Sequence, residues 1–227
     1  MATVEQPAPT PPSSLRLVMT LAIAGLISGI AIIGIYETTL PTITANKARE
    51  LQAAVSKVLP GVSQMQQVVF RDGQLIVSVD KGADEPSIYG GYDEQGMFIG
   101  WAIPGAGAGY QDTIGLLYGY APREREIRGM EILESRETPG LGDKIYKDMA
   151  FVGNFAELSI DPTIVVVKKN TRSQPNEVDA ITGATISSKA VVRIINETQA
   201  IWSDRLPPPG AEPPLAPKDQ AVSGDGQ

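Results

Sequence analysis

The strongest feature of the hydrophobic pattern is the run LVMTLAIAGLISGIAIIGIY at residues 17–36, which carries no charge. About 20 residues at about 1.5 Å each cross a hydrocarbon core of about 30 Å, so residues 15–37 are expected to form a transmembrane helix. A cleaved signal sequence would have a shorter apolar core, about 7–15 residues, with a small-x-small site after it. The YETTLPTIT that follows offers no such site. Ala24, Gly25, Ser28 and Gly29 form a stripe of small residues where another membrane helix could approach closely. After Pro41, the residues Ala48, Leu51, Val55 and Val58 recur at three- and four-residue spacing until Pro60-Gly61, which predicts a second, amphipathic helix.

The period then shortens. MQQVVFR, QLIVSVD, SIYGGY, MFIGWAI, TIGLLYGYA and IRGMEILESRE are rich in β-branched and aromatic residues, and turn signals at Asp72-Gly73 and Gln95-Gly96 separate the earlier ones. The Gly-Ala-rich residues 104–109 are expected to be a loop between strands, and the charged PREREIR at 122–128 a solvated hairpin turn. A meander of antiparallel strands is the simplest arrangement. A short helical patch at 143–151 and a strand at TIVVVK follow. The last element is a helix over 186–202, with Val191, Ile194, Ile195, Thr198, Ile201 and Trp202 on one face. The expected fold class is α+β: one N-terminal transmembrane helix and one domain, residues 41–206, of mainly antiparallel strands with flanking helices. The Pro-, Ser- and Thr-rich residues 1–14 and the Pro-rich residues 207–227 are expected to be disordered tails.

Composition narrows the chemistry. The 227 residues include no Cys and no His. Disulfides, thiolate metal sites, iron–sulfur ligation, Cys nucleophiles, imidazole triads and histidine-ligated haem are therefore excluded, and no metal site is expected. A net charge of −7 argues against nucleic acid as a partner. Redox chemistry in this chain would need an imported organic cofactor.

Two segments could receive one. Arg136-Glu137-Thr138-Pro139-Gly140-Leu141-Gly142-Asp143 ends a predicted strand, and its Pro and Gly residues suit either a main chain that approaches a flat ligand or a plain strand-to-helix turn. Asp179-Ala180-Ile181-Thr182-Gly183-Ala184-Thr185 precedes the final helix. There Thr185 either caps the helix or stands where oriented amides favour an anion. The glycines at 105, 107 and 109 lack the GK[ST] ending of a phosphate loop.

Together the two segments resemble a known family. Asp179-x-x-Thr182-Gly183-Ala184-Thr185 matches the D-x-x-[ST]-G-A-T motif of proteins that carry FMN on a threonine, and ETPGLG at 137–142 is similar to a segment of the same family. With the N-terminal span, the chain resembles the G subunit of Rnf-type ion-translocating electron-transport complexes. The related C subunit of the sodium-translocating NADH:quinone reductase shares both motifs and is an alternative, as is a membrane-anchored binding or scaffold domain without redox function. The resemblance implies FMN joined to Thr185 by a phosphoester. It implies that Gly183 and Ala184 leave room for the ribityl phosphate, that Thr182 belongs to the same cofactor-binding set, and that Thr138, Gly140 and Leu141 lie against the isoalloxazine. Asp179 would be read by a Mg-dependent flavin transferase. The resemblance further implies an electron-carrying subunit with no independent catalytic activity, partnered by iron–sulfur, flavin and membrane subunits, with its FMN domain on the periplasmic side of the inner membrane. Ser135, where many relatives have His, departs from the family pattern.

Overall fold

The structure, a computed structural model, describes residues 13–78 and 86–216. The chain divides into two units, residues 1–49 and 50–227. Within the first unit the described chain is helical from residue 14 on, and its apolar residues are exposed all round: Leu21, Leu26, Ile30 and Ile33 all face outward. Among the described residues, this is the helix long and apolar enough to cross a membrane.

That helix, α1 (Ser14–Val58), contains Pro41 and does not stop there. The expectation of two helices separated at Pro41 is corrected. Proline deletes one N–H and frees one carbonyl, that of Glu37, and the turns on either side retain their own bonds. Threonine hydroxyls fold back onto the chain around it: Thr38 donates to Gly34 O at 2.9 Å, Thr39 to Ile35 O at 2.8 Å and Thr44 to Leu40 O at 2.6 Å.

The second unit is built on a seven-stranded sheet. Its strands are β1 (Gln64–Arg71), β2 (Gln74–Val77), β3 (Ser87–Tyr92), β4 (Phe98–Ala108), β5 (Thr113–Ala121), β6 (Glu126–Ser135) and β7 (Leu158–Ser159), in the order β2-β1-β3-β4-β5-β6-β7. Every pairing in it is antiparallel. Two short helices, α2 (Lys144–Lys147) and α3 (Met149–Gly153), occupy the expected helical patch. They are separated by Asp148, whose carboxylate accepts the N–H groups of Ala150 and Phe151. A parallel pair, β8 (Val165–Val167) and β9 (Glu177–Asp179), leads into the last helix, α4 (Thr185–Ser203).

Both faces of the sheet are covered, and β5 shows how the sequence arranges this. Ile114, Leu116, Tyr118 and Tyr120 point to the larger core with Val191, Ile194 and Ile195 of α4. Leu117, one pleat away, joins Val55, Val58 and Leu59 at the end of α1. On that second face the last turn of α1 reaches the sheet backbone. A side chain at Gly119 would collide with the Val58 carbonyl, and one at Gly129 would stand 3.0 Å from Val58 Cα.

Residues 104–108 do not form the expected loop. They extend β4, with Pro104 opposite Leu117 and Ala108 opposite Thr113, which corrects that expectation. Their glycines serve helix packing: a Cβ on Gly105 would meet Thr198 Oγ1 at 2.7 Å, and one on Gly107 would meet Ile194 Cγ1 at 2.8 Å. Residues 122–125 form the expected hairpin turn, with Arg125 in the left-handed region at φ 59°.

The Pro-rich tail also differs from expectation in its described part. Residues 207–216 lie along the sheet, where Tyr92 Oη donates to Pro213 O at 2.6 Å and Gln66 brackets the segment. Gln66 Nε2 donates to Pro214 O and Gln66 Oε1 accepts from Ala216 N. Extended prolines offer carbonyls with no internal partner, and these side chains use them. Residues 1–12 and 217–227, for which disorder was also expected, lie outside the described residues.

Candidate functional site

The site forms where the loop after β6 meets the loop before α4. In the first, Thr138 O accepts the N–H groups of Leu141 (3.2 Å) and Asp143 (3.4 Å), closing a tight turn in which Gly140 has φ +80°. Asp143 steadies the turn. Its carboxylate bonds the Lys147 ammonium at 2.6 Å, and this contact, with the nearby Gly140 backbone, holds its pKa below the usual carboxylate range. In the second loop Ala184 N donates to Ile181 O at 3.0 Å, with Gly183 at φ +83°, a conformation glycine adopts without strain.

Ser188 fastens this second turn from inside. Its hydroxyl accepts the Ile181 N–H at 3.1 Å and donates to Ala184 O at 2.9 Å. Ser188 stands three, four and seven residues before Val191, Val192 and Ile195, so the helical period already placed it on the buried face of α4. Its role was therefore open to reading from sequence and was missed.

The two turns lie side by side. A side chain begun at Gly183 would meet Leu141 Cδ2 at 3.8 Å and nothing nearer. Leu141 is 50% exposed and Ile186, in the first turn of α4, is 58% exposed, so an apolar rim borders the turn. Glu137 ties the same two loops together below the surface, its Oε2 accepting from Ser187 Oγ at 2.6 Å.

Thr185 is the first residue of α4, not its cap. Ala184 occupies the cap position, and no side chain caps the helix. The first backbone bond into α4 is Ser188 N to Ala184 O, so the N–H groups of Thr185, Ile186 and Ser187 lie at the helix end where an anion is favoured. Thr185 itself is exposed, and its hydroxyl has no partner among the described residues. Of the two readings left open by the sequence, helix capping by Thr185 does not occur. Of the other residues singled out, Thr182 is exposed, Ala184 is buried, and the Thr138 hydroxyl donates to Gln111 Oε1 at 2.7 Å.

Asp179 sits apart from this rim. Its Oδ1 accepts the N–H groups of Thr171 (3.1 Å) and Arg172 (3.2 Å), and its own N–H donates to Asn154 Oδ1 at 3.1 Å. It lines a shallow depression with Asp148, Asn154, Lys169 and Asn170.

An exposed hydroxyl and helix-end amides without partners among the described residues, a glycine turn with room above it and an apolar rim together fit a ligand with an anionic end and a flat apolar body. Flavin mononucleotide has that form. These features suit an FMN-binding domain, and residues 109–200 match the family model described as FMN-binding domain. The chain is 31% identical over 186 residues to the G subunit of the proton-translocating ferredoxin:NAD(+) oxidoreductase complex of Clostridium ljungdahlii, covering 82% of this chain and 89% of that protein. It is 29% identical over 197 residues to the G subunit of the Na(+)-translocating ferredoxin:NAD(+) oxidoreductase complex of Acetobacterium woodii, covering 83% and 91%. Among solved structures, NqrC of Shewanella oneidensis superposes with a TM-score of 0.54 at 18% identity, over 67% of this chain and 91% of that one, a likeness of fold. The chain belongs to the family of G subunits of ion-translocating oxidoreductase complexes.

Proposed function

We propose that this chain is a membrane-anchored electron carrier that holds FMN on Thr185 through a phosphoester and serves as the G subunit of a complex coupling electron transfer between ferredoxin and NAD to ion translocation. The observation that carries the proposal is the meeting of the two motif loops beside the Thr185 hydroxyl, which has no partner among the described residues. Attachment uses a flavin transferase as co-reactant. Thr185 Oγ1 bonds to the FMN phosphorus of FAD, the pyrophosphate bond breaks, AMP leaves, and the hydroxyl proton passes to the transferase. Once bound, FMN supplies one- and two-electron redox chemistry that no side chain of this chain offers.

The chain's own residues bind and orient. The amides at the head of α4 and the helix dipole stabilise the phosphodiester's remaining negative charge. Gly183 and Ala184 leave room at the turn, Thr182 flanks it, and Leu141, with Thr138 and Gly140, offers a surface to the ring system. Ser188 fixes the turn so that Thr185 is presented outward. Asp179 serves recognition by the transferase, and its two bonds to the 171–172 backbone suggest that it does so by shaping the neighbouring loop. In keeping with the family resemblance, the FMN domain faces the periplasmic side, and the partners are iron–sulfur, flavin and membrane subunits of the same complex.

The test is to produce the full-length chain with a flavin transferase and view the denatured band under ultraviolet light. A fluorescent band, with the intact mass raised by one FMN less one water, is expected. A dark band of unmodified mass would refute the proposal. Purification of the native assembly through this chain should bring down ferredoxin- and NAD-linked subunits, whereas a quinone-reductase set would assign the chain to the alternative complex.

A further inference from the structure

Glu137 is 5% exposed, and no lysine or arginine pairs with it among the described residues. A buried carboxylate without a cation is costly unless hydrogen bonds satisfy it. Here they do, and they come from two separate segments of the sequence. Oε1 accepts the backbone N–H groups of Tyr110 (2.8 Å) and Gln111 (3.0 Å), and Oε2 accepts the Ser187 hydroxyl at 2.6 Å. Burial pushes its pKa up, but these bonds outweigh that effect and hold it below the ordinary value.

The surroundings are cut to this carboxylate. A Cβ on Gly142 would stand 2.6 Å from Oε2, and one on Gly109 would run into Oε1. Neither position can carry a side chain while Glu137 occupies its place. The hairpin between β4 and β5 thereby lies against both the Gly140 turn and the first turn of α4. It presents Tyr110, 65% exposed, and Gln111, which takes the Thr138 hydroxyl bond.

We infer that Glu137 is the positioning residue of the flavin site, its anionic carboxylate fixing the 109–112 hairpin to the Gly140–Gly142 turn and to α4 two residues beyond Thr185. The inference rests on the flavin function proposed above. The carboxylate also places a fixed negative charge at the site, and each electron added to a flavin there is added against it.

The experiment compares wild type, E137Q and E137A as full-length chains produced with a flavin transferase. Gln keeps an acceptor for the Tyr110 and Gln111 amides and removes the charge, and its NH2 group takes the place of Oε2, so the Ser187 hydroxyl turns from donor to acceptor. E137Q is therefore expected to load flavin within about twofold of wild type and to favour the reduced flavin about tenfold more, a rise of about 30 mV for a two-electron couple measured by spectroelectrochemistry. E137A loses the clamp. It is expected to load flavin at least about tenfold more slowly, and in the flavin-free protein the Tyr110 and Gln111 amides should lose their protection from hydrogen exchange. An E137Q potential equal to that of wild type overturns the charge role. E137A loading at the wild-type rate, with both amides still protected, overturns the positioning role while leaving the flavin function intact. A wild-type chain that takes no flavin overturns the flavin function itself, whatever the amides of the flavin-free variants show.

Discussion

Gly119→Ala tests how tightly the end of α1 is seated on the sheet. The added methyl would fall on the Val58 carbonyl, which is main chain and cannot rotate away, and it would also press on Leu59 Cδ2 at 2.9 Å. Relief requires the last turn of α1 to withdraw, which opens the cluster of Val55, Val58, Leu59, Ala102 and Leu117. Overpacking of this kind costs about 1–3 kcal/mol. Each of the buried aliphatic side chains in that cluster contributes about 1.5–3 kcal/mol when fully sequestered, and partial exposure forfeits part of that. The expected loss is about 3 kcal/mol, which for a domain of this size lowers the midpoint of thermal unfolding by about 6–12 °C. Gly129→Ala, with Val58 Cα 3.0 Å away, should cost less. Gly115→Ala, in the same strand as Gly119 but with nothing nearer than 3.6 Å, should cost almost nothing. Thermal denaturation of the three detergent-solubilised variants, followed by circular dichroism, ranks them. A Gly119→Ala protein as stable as Gly115→Ala would refute the close seating of α1.

Other expectations follow from the site. Ser188→Ala strands the Ile181 N–H and frees the turn before Thr185, so it should cost about 1–3 kcal/mol in urea unfolding and slow flavin loading. Asp179→Asn retains an acceptor for the Thr171 and Arg172 amides, whereas Asp179→Ala does not; flavin-loading rates near wild type for Asn and strongly reduced for Ala would show that loop shape, not charge, is read by the transferase. Because folding depresses the Glu137 pKa below its ordinary 4.5, the stability it contributes is present above that value and is lost as pH falls through the folded-state value. Wild type should therefore lose stability more steeply below about pH 4.5 than E137Q does, measured as the urea midpoint against pH. In this cysteine-free chain, a single cysteine replacing the exposed Gln95 should react with a membrane-impermeant maleimide in cells whose outer membrane has been made permeable; labelling only after lysis would reverse the proposed orientation.

Much of this architecture was legible in the amino-acid pattern, because burial follows period. The alternating strands and the α4 stripe each had a regular repeat, and the segment at 17–36 declared itself by unbroken apolar length instead. Three features lacked either signal. Pro41 reads as a helix stop, since a sequence shows the lost N–H and not the long helix continuing on both sides. Residues 104–108 read as a loop because Gly and Ala are poor strand formers alone, and their purpose, letting Thr198 and Ile194 of α4 approach, depends on a helix about ninety residues away. The prolines at 213 and 214 read as unstructured, since nothing local announces that Tyr92 and Gln66 will bond their carbonyls. At the site, the two motifs pointed to Thr185 and Leu141, but the carboxylate that joins the loops, Glu137, passed as part of a turn. Its partners, at 110, 111 and 187, are brought to it only by the fold.

Whether Thr185 carries the flavin is decided by peptide mapping. The chain produced with a flavin transferase is digested, and the peptide spanning residues 182–185 is fragmented by a method that preserves phosphoesters. The expected result is the mass of FMN less one water on Thr185, none on Thr182, and no modification anywhere in Thr185→Val. Flavin on Thr182, or a Thr185→Val chain that still carries covalent flavin, would contradict the assignment.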